Sequence, residues 1–119
     1  MRDKPDAADL LNTARHVLTK DLLPALPREK RYMALMVTAA MATAAREADA
    51  GDAPLIAERE ALAALYEDDA PLEELNRRFA ADLRAGRFDD RPDAALDILR
   101  RSVLHRLAEC NPRYLDGET

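Results

Sequence analysis

Between Tyr32 and Ala45 the chain reads YMALMVTAAMATAA, fourteen residues in which Thr38 and Thr43 are the only polar ones. No Gly or Pro interrupts from Arg28 to Ala50, so the stretch is expected to be helical, and a helix apolar nearly all round is normally buried all round. It is shorter than the roughly 20 apolar residues that span a bilayer, but it suits the centre of a bundle. Ala40, Ala44 and Ala48 share a side with Met33, Met36 and Val37, which lets a neighbouring backbone approach closely.

The segments on either side carry helix punctuation. Asp6 precedes an amphipathic run through Ala7, Leu10, Leu11, Ala14, Val17, Leu18 and Leu22, and Asp9 suits the positive end of that helix. Pro24 should stop it at Leu23, leaving LLPALP as a stiff connector. Gly51 is a natural stop for the second helix. Asp52 can cap a third, with Pro54 in its first turn and Leu55, Leu62, Leu65 and Tyr66 on one side. After YEDDAP, Leu72, Leu75, Phe79 and Leu83 form a narrow stripe on a fourth helix. Glu73 with Arg77, and Glu74 with Arg78, are spaced for ion pairs outside that stripe. Gly86 closes it. Asp90 and Pro92 open a fifth helix, whose apolar side is read as Leu96, Leu99, Val103 and Leu107. Aromatics are 4% of the chain against 48% hydrophobic residues, so a core of Leu, Ala, Met and Val favours packed helices over a sheet.

The expected fold is all-α: an antiparallel bundle of about five helices around a central, Ala/Met-rich buried helix. At 119 residues one domain over residues 1–119 is expected, burying roughly two thirds of its unfolded surface. A net charge of -5 repels phosphate backbones, so nucleic acid is not the expected partner. A helix-turn-helix is disfavoured further because GRFDD is longer than that motif's turn. The opening MRDKPDAAD has charges where a signal peptide needs an apolar run, and a lone cysteine cannot form an intrachain disulfide. A cytoplasmic protein off the membrane is expected.

Chemistry-bearing residues are few. Cys110 closes the fifth helix, where the dipole disfavours a thiolate, and it shares a side with Val103 and Leu107, so it reads as packed and inert. His105 and Glu109 make half a metal site, and His16 is the only other histidine; zinc needs three or four convergent ligands. A di-iron bundle needs Glu-x-x-His twice, but Thr13 and Ser102 stand three residues before the histidines. No phosphate-binding glycine loop, nucleophile elbow or Cys-x-x-Cys occurs. No catalytic residue, metal or cofactor is assigned, and the reading leans away from an enzyme.

One arrangement runs against helix electrostatics. Arg28, Lys30 and Arg31 crowd the start of the second helix while Glu47 and Asp49 lie near its end, each opposing the dipole there. The basic start is a candidate contact for an anion or an acidic partner surface. At the C-terminus, Asn111 and Pro112 should turn the chain so that Tyr114 and Leu115 fold back on the bundle with Arg113 beside them. The alternative for Asn111, Pro112, Arg113, Tyr114 and Leu115 is a docking tail.

The stretches DAADLLNTARHVLTKDLLPALP, RYMALMVTAAMATAARE and LHRLAECNPRYL, in that order, resemble an uncharacterised bacterial family of small helical domains, a domain of unknown function. Its members occur beside or fused to aminoglycoside-phosphotransferase-like proteins and near acyl-CoA dehydrogenases. Arg46, Glu47 and the run from Asn111 to Leu115 fit its pattern, whereas Met33 and Ala39 replace a His and an Asn common in relatives. The resemblance implies an accessory role next to a phosphotransferase-like kinase or an acyl-CoA enzyme. Together these features predict a non-catalytic accessory or protein-interaction domain, with a homodimer as a related form. The alternative is a small-ligand or anion-binding protein using Arg28, Lys30 and Arg31.

Overall fold

A computed structural model describes residues 3–117. Among them are six α-helices and no strand, so the chain is all-α. It divides into two compact units, one ending at Gly51 and the other beginning at Asp52.

The first unit is a helical hairpin. Helix α1, Ala7–Val17, opens on a reciprocal cap: the Asp9 amide donates to Asp6 Oδ1 at 2.9 Å, and the Asp6 amide donates to Asp9 Oδ2 at 3.1 Å. Two amides that the first turn would leave unpaired are thereby satisfied. Lys4 Nζ lies 2.7 Å from Asp6 and 3.2 Å from Asp9. The Lys4 hydrogen bond, followed by that of the Asp9 amide, holds the Asp6 carboxyl down at about 2. Regular α geometry ends at Val17, and Leu18–Leu22 widen into π-helical turns in which the Leu23 amide reaches back to the Leu18 carbonyl. Pro24 has no amide to donate and its ring would crowd the carbonyl four residues back, so the chain loosens ahead of it. Leu23–Ala25 then make a single 3₁₀ turn.

Helix α2, Arg28–Ala50, packs against α1. Ala8 of α1 and Ala34 and Ala45 of α2 are buried, small side chains that let the two backbones lie close. Gly51 ends α2 at φ +63°, its amide donating to the Glu47 carbonyl.

The apolar helix is not the buried centre that its sequence predicts. Met33 is 69% and Met36 55% exposed, and Tyr32, Leu35 and Val37 are exposed with them. The reason is geometric. A helix apolar on every side needs neighbours on every side, and in its own unit α2 has one long neighbour, α1, which covers only the arc that holds Ala34 and Ala45.

The second unit contains α3, Ala53–Tyr66; α4, Leu72–Arg84; α5, Asp93–Cys110; and a single-turn α6, Pro112–Leu115. Its core is Leu62, Ala70, Leu75, Phe79, Ala95 and Ile98, with Leu72, Leu83 and Phe88 packed at the margin. The α4 stripe is therefore the one the sequence indicates. Glu73 pairs with Arg77 at 2.8 Å. Arg78, however, turns away from Glu74 and stands 3.5 Å from Asp68 instead. Asp52 precedes α3 without making a side-chain cap, and Pro92 rather than Asp90 stands immediately ahead of α5.

Helix α5 presents a different face from the one expected. Ala95 and Ile98 are buried, whereas Leu96, at 55%, Leu99 and Val103 are exposed. Ala95 and Ile98 cluster with Leu62 and Leu75, and the small Ala95 lets α5 approach that core closely. The chain end also departs from expectation. Cys110 is exposed, as are Tyr114, at 56%, and Leu115. Pro112 starts the new turn α6 next to α5 rather than sending the chain back over the unit.

Two stability measurements check these assignments. Leu62→Ala removes a fully buried side chain and should cost about 2–5 kcal/mol in denaturant unfolding. Leu96→Ala, on the exposed face of α5, should stay within about 0.5 kcal/mol of wild type, and equal losses would return Leu96 to the core. The second concerns acid. Asp6 is depressed from its ordinary 3.8, so its contribution is complete above about pH 4 and fades as pH falls towards 2. Asp6→Asn keeps a capping oxygen but cannot titrate. Followed by circular dichroism, that variant should lose helix less steeply than wild type across this window.

Candidate functional site

The basic start of α2 is only partly free to act. Arg31 Nε donates to the Leu26 carbonyl at 3.2 Å, and a second guanidinium nitrogen donates to the Pro24 carbonyl at 3.5 Å. The arginine is thus used to hold the Leu23–Pro27 connector against the first turn of its own helix. Arg28 and Lys30 are exposed beside it. The three residues share one helix end, but Arg31 has a structural task in the fold.

The middle of α2, from Tyr32 to Ala44, presents an apolar surface. Tyr32, Met33, Met36 and Val37 are exposed, and Ala40 and Ala44 lie on the same arc at helical spacing. Tyr32 and Met36 lie opposite the side on which Ala34 and Ala45 are buried, and Val37 and Ala44 border it. Large apolar side chains left contiguous in water mark a surface that something covers.

The second unit holds a polar corner that the sequence does not announce. Tyr66, the last residue of α3, donates its hydroxyl to Asp82 Oδ2 of α4 at 2.7 Å. Arg87 Nε stands 3.3 Å from the other oxygen of Asp82. The Arg78 guanidinium lies 4.2 Å from the centre of the Tyr66 ring, a cation–π contact. Phe88 meets Tyr66 edge-on at 6.5 Å and Phe79 at 5.6 Å. Tyr66, Arg78, Asp82, Arg87 and Phe88, with Arg91 and Asp93, line an open cleft of about 550 Å³. Burial first, and the hydrogen bond to Asp82 second, push the Tyr66 phenol up to about 12. It remains a donor at neutral pH and cannot serve as a general base. Arg78 and Arg87 are engaged by carboxylates, so the cleft's charge is largely balanced from within. Its evident task is to tie the end of α3 to α4 and to the turn that follows. Arg59 works similarly, donating to the Ala70 carbonyl at 3.1 Å and pairing with Asp69.

His105 Nε2 and Glu109 Oε1 are 3.3 Å apart, both partly buried. His105 also borders a cleft of about 130 Å³ between α3 and α5, with Pro54, Ala57, Ala61, Ile98 and Ser102. Among the described residues no group of three or more His, Cys, Asp or Glu gathers where a metal could sit. His16 is exposed on α1 of the first unit. At the other end of α5, Asn111, Arg113, Tyr114 and Leu115 are exposed and Pro112 is partly so, leaving Tyr114 and Leu115 outside any core. No described helix is long and apolar enough to cross a membrane.

The polar corner gives a direct test. Tyr66→Phe should cost about 0.5–1.5 kcal/mol near neutral pH through the lost hydrogen bond. Because the folded phenol titrates above its ordinary 10, the wild-type advantage is complete below pH 10 and disappears as pH rises towards 12. Urea midpoints of the two proteins should therefore converge in alkali; a constant gap would mean that folding leaves the phenol at its ordinary value.

Comparison with known proteins adds one finding. A family model described as "Domain of unknown function (DUF6285)" matches residues 24–114, which takes in α2 to α5 and most of α6 and omits α1. No curated protein and no solved structure matches the chain. With more than half of its residues matched, the chain belongs to the domain family DUF6285.

Proposed function

We propose that this chain is a non-catalytic interaction module, one functional unit over residues 1–119, that docks another protein on the exposed arc of α2. The observation that carries this reading is the run of Tyr32, Met33, Met36 and Val37 on one open side of a helix whose opposite side is packed on α1. Fully burying an aliphatic or methionine side chain of this size is worth about 1.5–3 kcal/mol. Three of them with Tyr32 on one arc can form the centre of a protein interface, with aromatic and methionine residues at the core and charges at the rim. Methionine's flexible thioether suits such a surface, because it adapts to the shape of what covers it.

The resemblance to proteins encoded near phosphotransferase-like kinases and acyl-CoA dehydrogenases supplies the partner classes to look for. The exposed run from Asn111 to Leu115 adds a second contact in this reading, as a docking tail. An anion site at Arg28, Lys30 and Arg31 is less well supported, since Arg31 is held by the carbonyls of Pro24 and Leu26.

The test is capture from a host lysate, with the tagged chain compared to a Met36→Asp, Val37→Asp double variant of the same helical content. Wild type should retain a stoichiometric protein chain, identified by mass spectrometry, that the variant loses at least tenfold. Equal retention by both would remove the α2 arc as the docking surface.

A further inference from the structure

We infer that the occupant of the α2 arc is a second copy of this chain, its α2 lying antiparallel to the first. The inference rests on the interaction reading above and specifies its partner. It starts from the spacing along α2: Glu29, Met33, Met36, Ala40, Thr43 and Glu47 alternate steps of four and three, the repeat of a helix-to-helix seam. Placed antiparallel about residue 38, that seam sets Met36 of one copy against Ala40 of the other, and Met33 against Thr43. Each long methionine therefore meets a small residue, which is how a close interface fills without voids. Every contact occurs twice, as a two-fold interface requires.

Charge supports the same direction. The first turn of α2 carries Arg28, Lys30 and Arg31 with Glu29 and is net positive, while the last carries Glu47 and Asp49 with Arg46 and is net negative. Both ends oppose the dipole of their own helix. In an antiparallel pair the acidic end of one helix lies beside the positive start of the other, and the basic start lies beside a negative end. The arrangement that is unfavourable within one helix becomes favourable between two. Glu29 faces Glu47 of the second copy only in the outermost layer, next to Arg28 and Lys30. A parallel pair would instead set like ends together and methionine against methionine.

The experiment uses the full chain with Cys110→Ser and single cysteines on α2. In the antiparallel register Val37 lies about 3 Å along the axis from its twin, whereas Met33 lies about 15 Å from its own, and a disulfide needs Cα atoms within about 7 Å. Val37→Cys should oxidise to a covalent dimer and Met33→Cys should not. A mixture of Met33→Cys with Thr43→Cys should cross-link. By light scattering the parent chain should have twice its 13.3 kDa mass, and Met36→Asp should halve it. A parent that stays monomeric at high micromolar concentration overturns the inference, as does Met33→Cys cross-linking as readily as Val37→Cys. A monomer that still captures a different protein through Met36 keeps the interaction reading and removes the second copy as occupant; a monomer that captures nothing through this arc removes both.

Discussion

The rest of the account depends on one mismatch between apolar surface and available neighbours. Helix α2 is apolar on nearly all of its circumference, and within its unit α1 covers one arc of it. Because Ala8, Ala34 and Ala45 are small, the contact between α1 and α2 is close but narrow. The capped start of α1 fixes its first turn, and the Arg31 bonds hold the connector against the start of α2. Neither covers Met33 or Met36, which remain open to water.

The second unit meets the same physical demand in another way. Three helices converge on Leu62 and Leu75, the aromatic rings of Phe79 and Phe88 fill one side, and Tyr66, Asp82, Arg78 and Arg87 fasten the corner with polar contacts. The cluster is small, so the fastening matters: a phenol pairing with a carboxylate across two helices resists splaying in a way that a few apolar contacts do not. The exposed side of α5, with Leu96, Leu99 and Val103, shows that this unit too carries more apolar residues than its own core can hold.

What the sequence made legible follows from how its large residues are distributed. On α4 they occupy one narrow arc flanked by charge, and Leu75 and Phe79 are buried as the spacing indicates. The Asp6 cap and the stops at Gly51 and Gly86 were readable because each is a local backbone effect, whereas regular α geometry in the first helix ends at Val17, well ahead of the Leu23 stop that Pro24 suggested. On α5 two apolar arcs lie side by side. The run of Leu and Val positions pointed to Leu96, Leu99 and Val103, but packing selected the adjacent arc of Ala95 and Ile98. On α2 uniform apolarity gives no direction at all, so burial was the natural and mistaken inference. The break at Pro112 was visible, but not that the chain would continue as another turn with Tyr114 and Leu115 outward. The Tyr66 to Asp82 bond joins residues sixteen apart on different helices, and no periodicity encodes such a pair. The candidate surface was present in the sequence as composition, and only the fold determined which arc remained open.

If a second copy covers α2, Met33 and Met36 are open in the single chain and closed by association, while Met41, partly buried on the same helix, is not. Oxidative footprinting across a dilution series reads this residue by residue. Met33 and Met36 should convert rapidly to sulfoxide in dilute protein and become protected as concentration rises, with Met41 changing little. Met33 and Met36 protected to the level of Met41 at the lowest concentration would contradict it, because the chain would then be covering that face itself.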